Sequence, residues 1–176
     1  VKDLLLLVKG LTALLLTMVL SCNSIKQELF YEANDEVNLY SFIGEKISLT
    51  EFNPDERYNE IKVDTLTGDT TSYGGRFMDR AFDAKYLVVE EVFNDLGVDT
   101  IDFVVFNHYG RPLFEENEYV LLHLSSFEGG FFLQKYQYDI VEKNQVGIWK
   151  VEEGKTIKEL FLKKKNGVFK ARDIFK

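Results

Sequence analysis

"AFDAKYLVVEEVF", residues 81–93, decides the fold class. Phe82, Ala84, Tyr86, Val88 and Val92 share one parity, while Asp83, Lys85 and Glu91 fall on the other. Strict alternation against a charged opposite face is the pattern of an antiparallel strand with one face in a core. NDLGVD then supplies a turn, and TIDFVVFNHY, residues 100–109, reads as the strand that pairs back.

The same reading extends in both directions. VNLYSFIGEKISLTEF, residues 37–52, carries Ile43, Ile47 and Leu49 on one parity, interrupted by Glu45. In the polar stretch 53–80, IKVDTLTGDTTSY predicts a small hairpin about Thr67-Gly68-Asp69, because Gly and Asp tolerate tight turns. YVLLHLSS (119–126), FFLQKYQYDIVEK (131–143) and GIWKV (147–151) are three further runs, with FEGG as the turn between the first two. Short runs broken by turn signals describe a sandwich or a barrel. Near the carboxyl end, Thr156 precedes Glu159 by three residues, a capping box, and Ile157, Leu160 and Phe161 share a helical face. A helix near 156–165 is expected; Asn166-Gly167 either stops it or turns a hairpin instead.

Composition agrees with this class. Aromatics reach 14%, with fifteen Phe and nine Tyr against two Pro, which favours strands. A chain of 176 residues fits one domain, expected over 36–176. The single cysteine cannot form an internal disulfide, so any exported form folds on packing alone.

The amino terminus reads differently. Residues 10–20, GLTALLLTMVL, are uncharged and mainly apolar, and too short for the roughly 20 residues that span a bilayer. A basic start followed by a short apolar run describes a secretory signal, residues 1–21. Val19-Leu20-Ser21-Cys22 resembles the lipobox of bacterial lipoproteins, although Leu20 stands where a small residue is usual. The resemblance implies a diacylglyceryl group on the Cys22 thiol and cleavage by signal peptidase II between Ser21 and Cys22. Multiple acyl chains anchor stably, at about 0.8 kcal/mol per buried CH2. Residues 22–35 then form a tether, with a short helix around Ile25 to Tyr31. In lipoproteins of the Bacteroidota, acidic residues after the cysteine mark surface export; Asn23-Ser24-Ile25 lacks them, so the expected place is the outer membrane, facing the periplasm.

SFIGEKISL, AKYLVVEEVFNDLGVDTIDFVVFN and YVLLHLSS together resemble the netrin-like modules related to tissue inhibitors of metalloproteinases. That resemblance implies a mostly β fold: a small OB-type antiparallel barrel of five to six strands with a side or C-terminal helix. Those relatives usually carry disulfides and this chain has none, so only the fold carries over.

Chemistry is sparse. Residues 150–176 hold nine basic and four acidic residues, whereas 22–149 carry a net charge near −14. An acidic barrel lacks the basic footprint that nucleic acid requires. His108 and His123 show no metal-ligand spacing, and no nucleophile or phosphate-loop motif is present. Glu90 and Glu91 are strand neighbours and point to opposite faces. No cofactor, metal or enzymatic activity is expected. The loop FNHYGRPLF, residues 106–114, joins His108, Tyr109 and Arg111 in a Gly/Pro-shaped turn, a candidate contact for a protein, peptide or glycan partner. The alternatives are an inhibitor or immunity-type protein acting through a netrin-like rim, and an unrecognised hydrolase.

Overall fold

A computed structural model describes residues 30–63, 67, 70–74, 76–145, 147–151 and 154–175. The strands are β1 (Tyr40–Phe52), β2 (Glu60–Val63), β3 (Thr70–Tyr73), β4 (Arg80–Phe93), β5 (Thr100–Asn107), β6 (Tyr119–Phe127), β7 (Gly130–Lys143) and β8 (Trp149–Val151). Two helices accompany them, α1 (Pro54–Tyr58) and α2 (Ile157–Lys164), and a 3-10 turn spans Leu113–Glu116.

β1 lies between β4 and β6, β5 continues beyond β4, and β7 continues beyond β6 to the short edge strand β8. A parallel bridge between Val104 and Phe132 joins β5 to β7 and closes the ring. Five strands closed in this order are the OB-type barrel that the sequence resemblance implies. β2 and β3 pair antiparallel as expected, Glu60 opposite Tyr73 and Val63 opposite Thr70, as a separate small sheet, while Gly68 and Asp69 of the expected turn lie outside the described residues.

The strands are long and must bend to close, and bulges supply the bend. Register slips fall at Val89 and Val92 on β4 and at Ile47 on β1. Each slip reverses the inward parity, which corrects two expectations. Ile47 is the extra residue of its bulge and is 54% exposed, so it does not share a face with buried Ile43. Val92 leaves the face of Phe82, Ala84 and Tyr86 and joins Phe93 in a second core.

There are two cores because the barrel wall is covered on both sides. Phe42, Phe82, Tyr86, Phe103 and Leu122 fill the barrel, and Phe114 of the 3-10 turn plugs one end against Tyr86 and Tyr138. Outside the wall, Ile43, Phe93, Leu121 and Trp149 pack beneath α2, which contributes Phe161. This explains why β6 reads VLLHL instead of alternating: Val120, Leu122 and Leu124 face inward, Leu121 outward, and all are buried. Each fully buried large apolar side chain contributes roughly 1.5–3 kcal/mol.

Thr156 caps α2 as expected: its hydroxyl accepts from Glu159 N at 3.2 Å, and Glu159 Oε2 accepts from Thr156 N at 2.8 Å. Asn166-Gly167 neither stops the helix nor turns a hairpin. The chain widens into a π-helical turn over Lys165–Phe169, and this one-residue phase slip brings Phe169 onto the buried stripe.

Part of the segment assigned to a tether is docked. Glu32 bridges β4 at Phe93, its N–H donating to Val92 O at 3.1 Å, and Phe30 packs on Phe161 with ring centroids 5.6 Å apart. Asn94 holds this segment. It sits at φ +51, which Asn tolerates, and its side chain accepts from Asn34 N at 2.7 Å and donates to Leu39 O at 2.9 Å. Phe30 and Tyr31 are not helical, and residues 25–29 of the expected short helix lie outside the described residues.

Candidate functional site

The outward-facing side of β5 carries apolar residues where an alternating strand normally carries polar ones. Ile101, Phe103 and Val105 are buried in the barrel, leaving Asp102, Val104 and Phe106 on the outer face. Phe106 stacks on Phe77, with centroids 5.7 Å apart and planes 11° from parallel. Tyr58 of α1 completes the cluster, 5.6 Å from Phe77 and 6.1 Å from Phe106. Phe52 extends it to the end of β1, with the Arg57 guanidinium 3.3 Å above its ring.

The charges around these rings are matched. Arg57 grips both oxygens of Asp83 at 2.6 and 2.7 Å, Arg80 grips Glu51 at 2.6 and 2.5 Å, and Lys85 lies 3.5 Å from Asp102. Hydrogen bonding to Arg80 holds the Glu51 carboxyl below its ordinary range. A groove of about 320 Å³ runs beside the rings, lined by Thr50, Asp83, Lys85, Asp102, Val104 and Phe132. It lies on the outer surface of the second and third barrel strands, next to the β6–β7 loop, where OB-type barrels bind extended polymers.

The loop after β5 divides the three residues expected to act together. His108 Nδ1 lies 3.1 Å from Asp79 Oδ1, and Lys135 pairs with the other Asp79 oxygen. Lys135 is the first cause holding the Asp79 carboxyl below its usual range. Tyr109 is 84% exposed, with its ring 5.2 Å from His108 and 6.0 Å from Tyr136. Tyr136, at φ +63, belongs to a bulge in which Gln134 to Gln137 of β7 face only His123 of β6. Arg111 instead turns back onto the barrel, donating to both Glu115 oxygens at 2.6 and 2.7 Å and to Leu49 O at 3.2 Å. His108 and Tyr109 therefore join Asp79, Lys135 and Tyr136 at the end of the aromatic strip, while Arg111 braces the loop. Sequence reasoning missed Tyr58, Phe77 and Phe106. The available signal was Phe106 on the solvent parity of an alternating strand.

A second polar group lies under the C-terminal helix. Ser41 Oγ is 2.8 Å from His123 Nδ1, His123 Nε2 is 3.8 Å from Asp139 Oδ2, and Lys164 pairs with the same oxygen at 2.9 Å. Burial pushes the His123 imidazole down to about 4. Ser41 and His123 are wholly buried, so in this arrangement no substrate reaches the hydroxyl. Glu91 is half-buried and turned to Leu96 N at 3.2 Å; burial raises its carboxyl to about 7. Among the described residues, no three His, Cys, Asp or Glu side chains form a metal-binding group, and no helix is long and apolar enough to cross a membrane. Ser21 and Cys22 lie outside the described residues.

Fold and site together define a small OB-type barrel with an aromatic outer face. Compared with family models, curated proteins and solved structures, the chain matches none.

Proposed function

We propose that this chain is a non-enzymatic, lipid-anchored protein of the bacterial envelope whose barrel binds a protein, peptide or glycan partner along the strip from Phe52 to Tyr109. The carrying observation is the Tyr58–Phe77–Phe106 cluster, a set of stacked rings on an open barrel face with paired charges on either side. Rigid, partly exposed aromatics are the usual anchors of an interface. The matched ion pairs favour an uncharged or mixed-charge partner and disfavour a polyanion. The anchor rests on the lipobox resemblance at Cys22.

A photo-crosslinker at Met78, which is 81% exposed beside Phe77, tests the strip in intact envelopes. A recurrent peptide or glycan adduct is expected in the wild type. Phe77→Ala and Tyr109→Ala should each reduce it more than tenfold, as loss of an anchor costs on the order of 2 kcal/mol. Their melting temperatures should stay close to the wild type, since surface changes usually stay within about 0.5 kcal/mol. An undiminished adduct in both variants would place binding elsewhere. For the anchor, a palmitate analogue should label the wild type and leave Cys22→Ser unlabelled.

A further inference from the structure

The basic residues of this acidic chain are concentrated in its last 27 residues, and the structure shows how they are used. Lys164 and Lys165 turn inward, Lys164 to Asp139 and Lys165 to Glu32. Lys158, Lys163 and Lys170 are exposed on α2 and its continuation, Lys158 and Lys163 standing on the two flanks of the outer face, about 140° apart around the axis, and none forms an ion pair among the described residues. Glu159 lies between these flanks and caps Thr156 as a carboxylate. The exposed side of the helix therefore carries three lysines against one glutamate, a net positive patch on an otherwise acidic molecule.

The same helix packs against Phe30, the first of the described residues. Phe30 packs on Phe161, and the Lys158 ammonium lies 5.7 Å from the Phe30 ring. We propose that the patch of Lys158, Lys163 and Lys170 docks on the anionic phospholipid surface to which the domain is anchored, fixing its orientation with the helix towards the bilayer. This rests on acylation of Cys22, which lies eight residues before Phe30. Eight residues reach at most about 29 Å when fully extended. That holds Phe30, and the lysine beside it, within about 29 Å of the headgroups. Lysines near an anionic surface each strengthen association roughly fivefold, and a Debye length of about 8 Å makes the effect salt-sensitive. The helix covers the outer face around β1, β6 and β8, whereas the aromatic strip lies on β5. Docking through the helix thus leaves the strip open to a partner.

The test uses the purified full-length processed protein with phosphatidylcholine vesicles and with vesicles containing 30% phosphatidylglycerol, as about equal lipid concentrations. Amine acetylation at each lysine is followed by mass spectrometry, with Lys46 and Lys85 of the barrel as internal references. Lys158, Lys163 and Lys170 should react about tenfold more slowly on phosphatidylglycerol vesicles, the references should be unchanged, and 0.5 M NaCl should erase the difference. Lys158→Gln/Lys163→Gln/Lys170→Gln, with exposed side chains and an unchanged core, should abolish lipid-dependent protection of the helix in hydrogen exchange. Equal acetylation on both vesicles at low salt overturns the proposal. Flotation with phosphatidylcholine vesicles reads the acyl anchor separately: its loss would count against Cys22, and the acetylation ratio would still judge the helix face.

Discussion

Two half-hidden or hidden side chains give opposite pH responses. The Glu91 carboxyl is raised to about 7 by burial, so between its unfolded value near 4.5 and about 7 the folded state holds a proton that the unfolded state has released. Its contribution is complete below 4.5 and is lost as pH rises through 7. Glu91→Gln keeps an oxygen for Leu96 N and should stabilise the protein at pH 8 by about 1–2 kcal/mol, discounted for solvent screening, and by almost nothing at pH 4.5. His123 acts in the other sense. Its imidazole is lowered from 6.5 to about 4, so its contribution is present above 6.5 and lost as pH falls towards 4. Urea unfolding of the wild type should lose roughly 2–3 kcal/mol across that acid window through His123, and His123→Gln should flatten the loss. Unchanged slopes in the variants would show that neither group is buried as described.

Among the elements, the capped helix is the most exposed to a single change. Thr156→Ala removes the acceptor for Glu159 N and should cost about 1 kcal/mol, read as a lower urea midpoint at unchanged slope. Gly44→Ala tests the barrel wall. A Cβ there would lie 2.8 Å from Phe42 Cε2 and 3.1 Å from Tyr86 Cδ1, both in fully buried rings, so a loss of about 1–3 kcal/mol is expected. The helix start was legible because Thr156 and Glu159 act within one turn of the chain. So were the strands, where composition and alternation agree. The bulges at Ile47, Val89 and Val92 were not legible, since a register slip is set by how two distant strands curve together. The continuation of the helix through Asn166-Gly167 was hidden for a similar reason: burial of Phe169 outweighs a local stop signal. At the site, Tyr109 was legible as an exposed loop aromatic. The bracing of Arg111 depends on Glu115 and on Leu49 O, 62 residues earlier in the chain.

At the scale of the molecule, the position of β1 between β4 and β6 governs the order in which the chain can become stable. β1 finds one neighbour only when residue 93 is available and its other only at residues 119–124, and the ring closes through Phe132. Helix α2, which covers the second core, comes later still. Contacts this distant in sequence slow folding, because loop-closure entropy is spent before the contacts form. A chain threaded amino end first through a translocation pore thus has no closed barrel to jam the channel while its later strands remain on the near side. Ribosome-stalled chains whose exposed part ends before Tyr119 should be cleaved rapidly by protease, and those exposing the chain through Phe175 should resist it. Resistance already present in the shorter chain would mean that the β1–β4–β5 meander is stable alone, and that the proposed export would have to contend with a folded amino-terminal half.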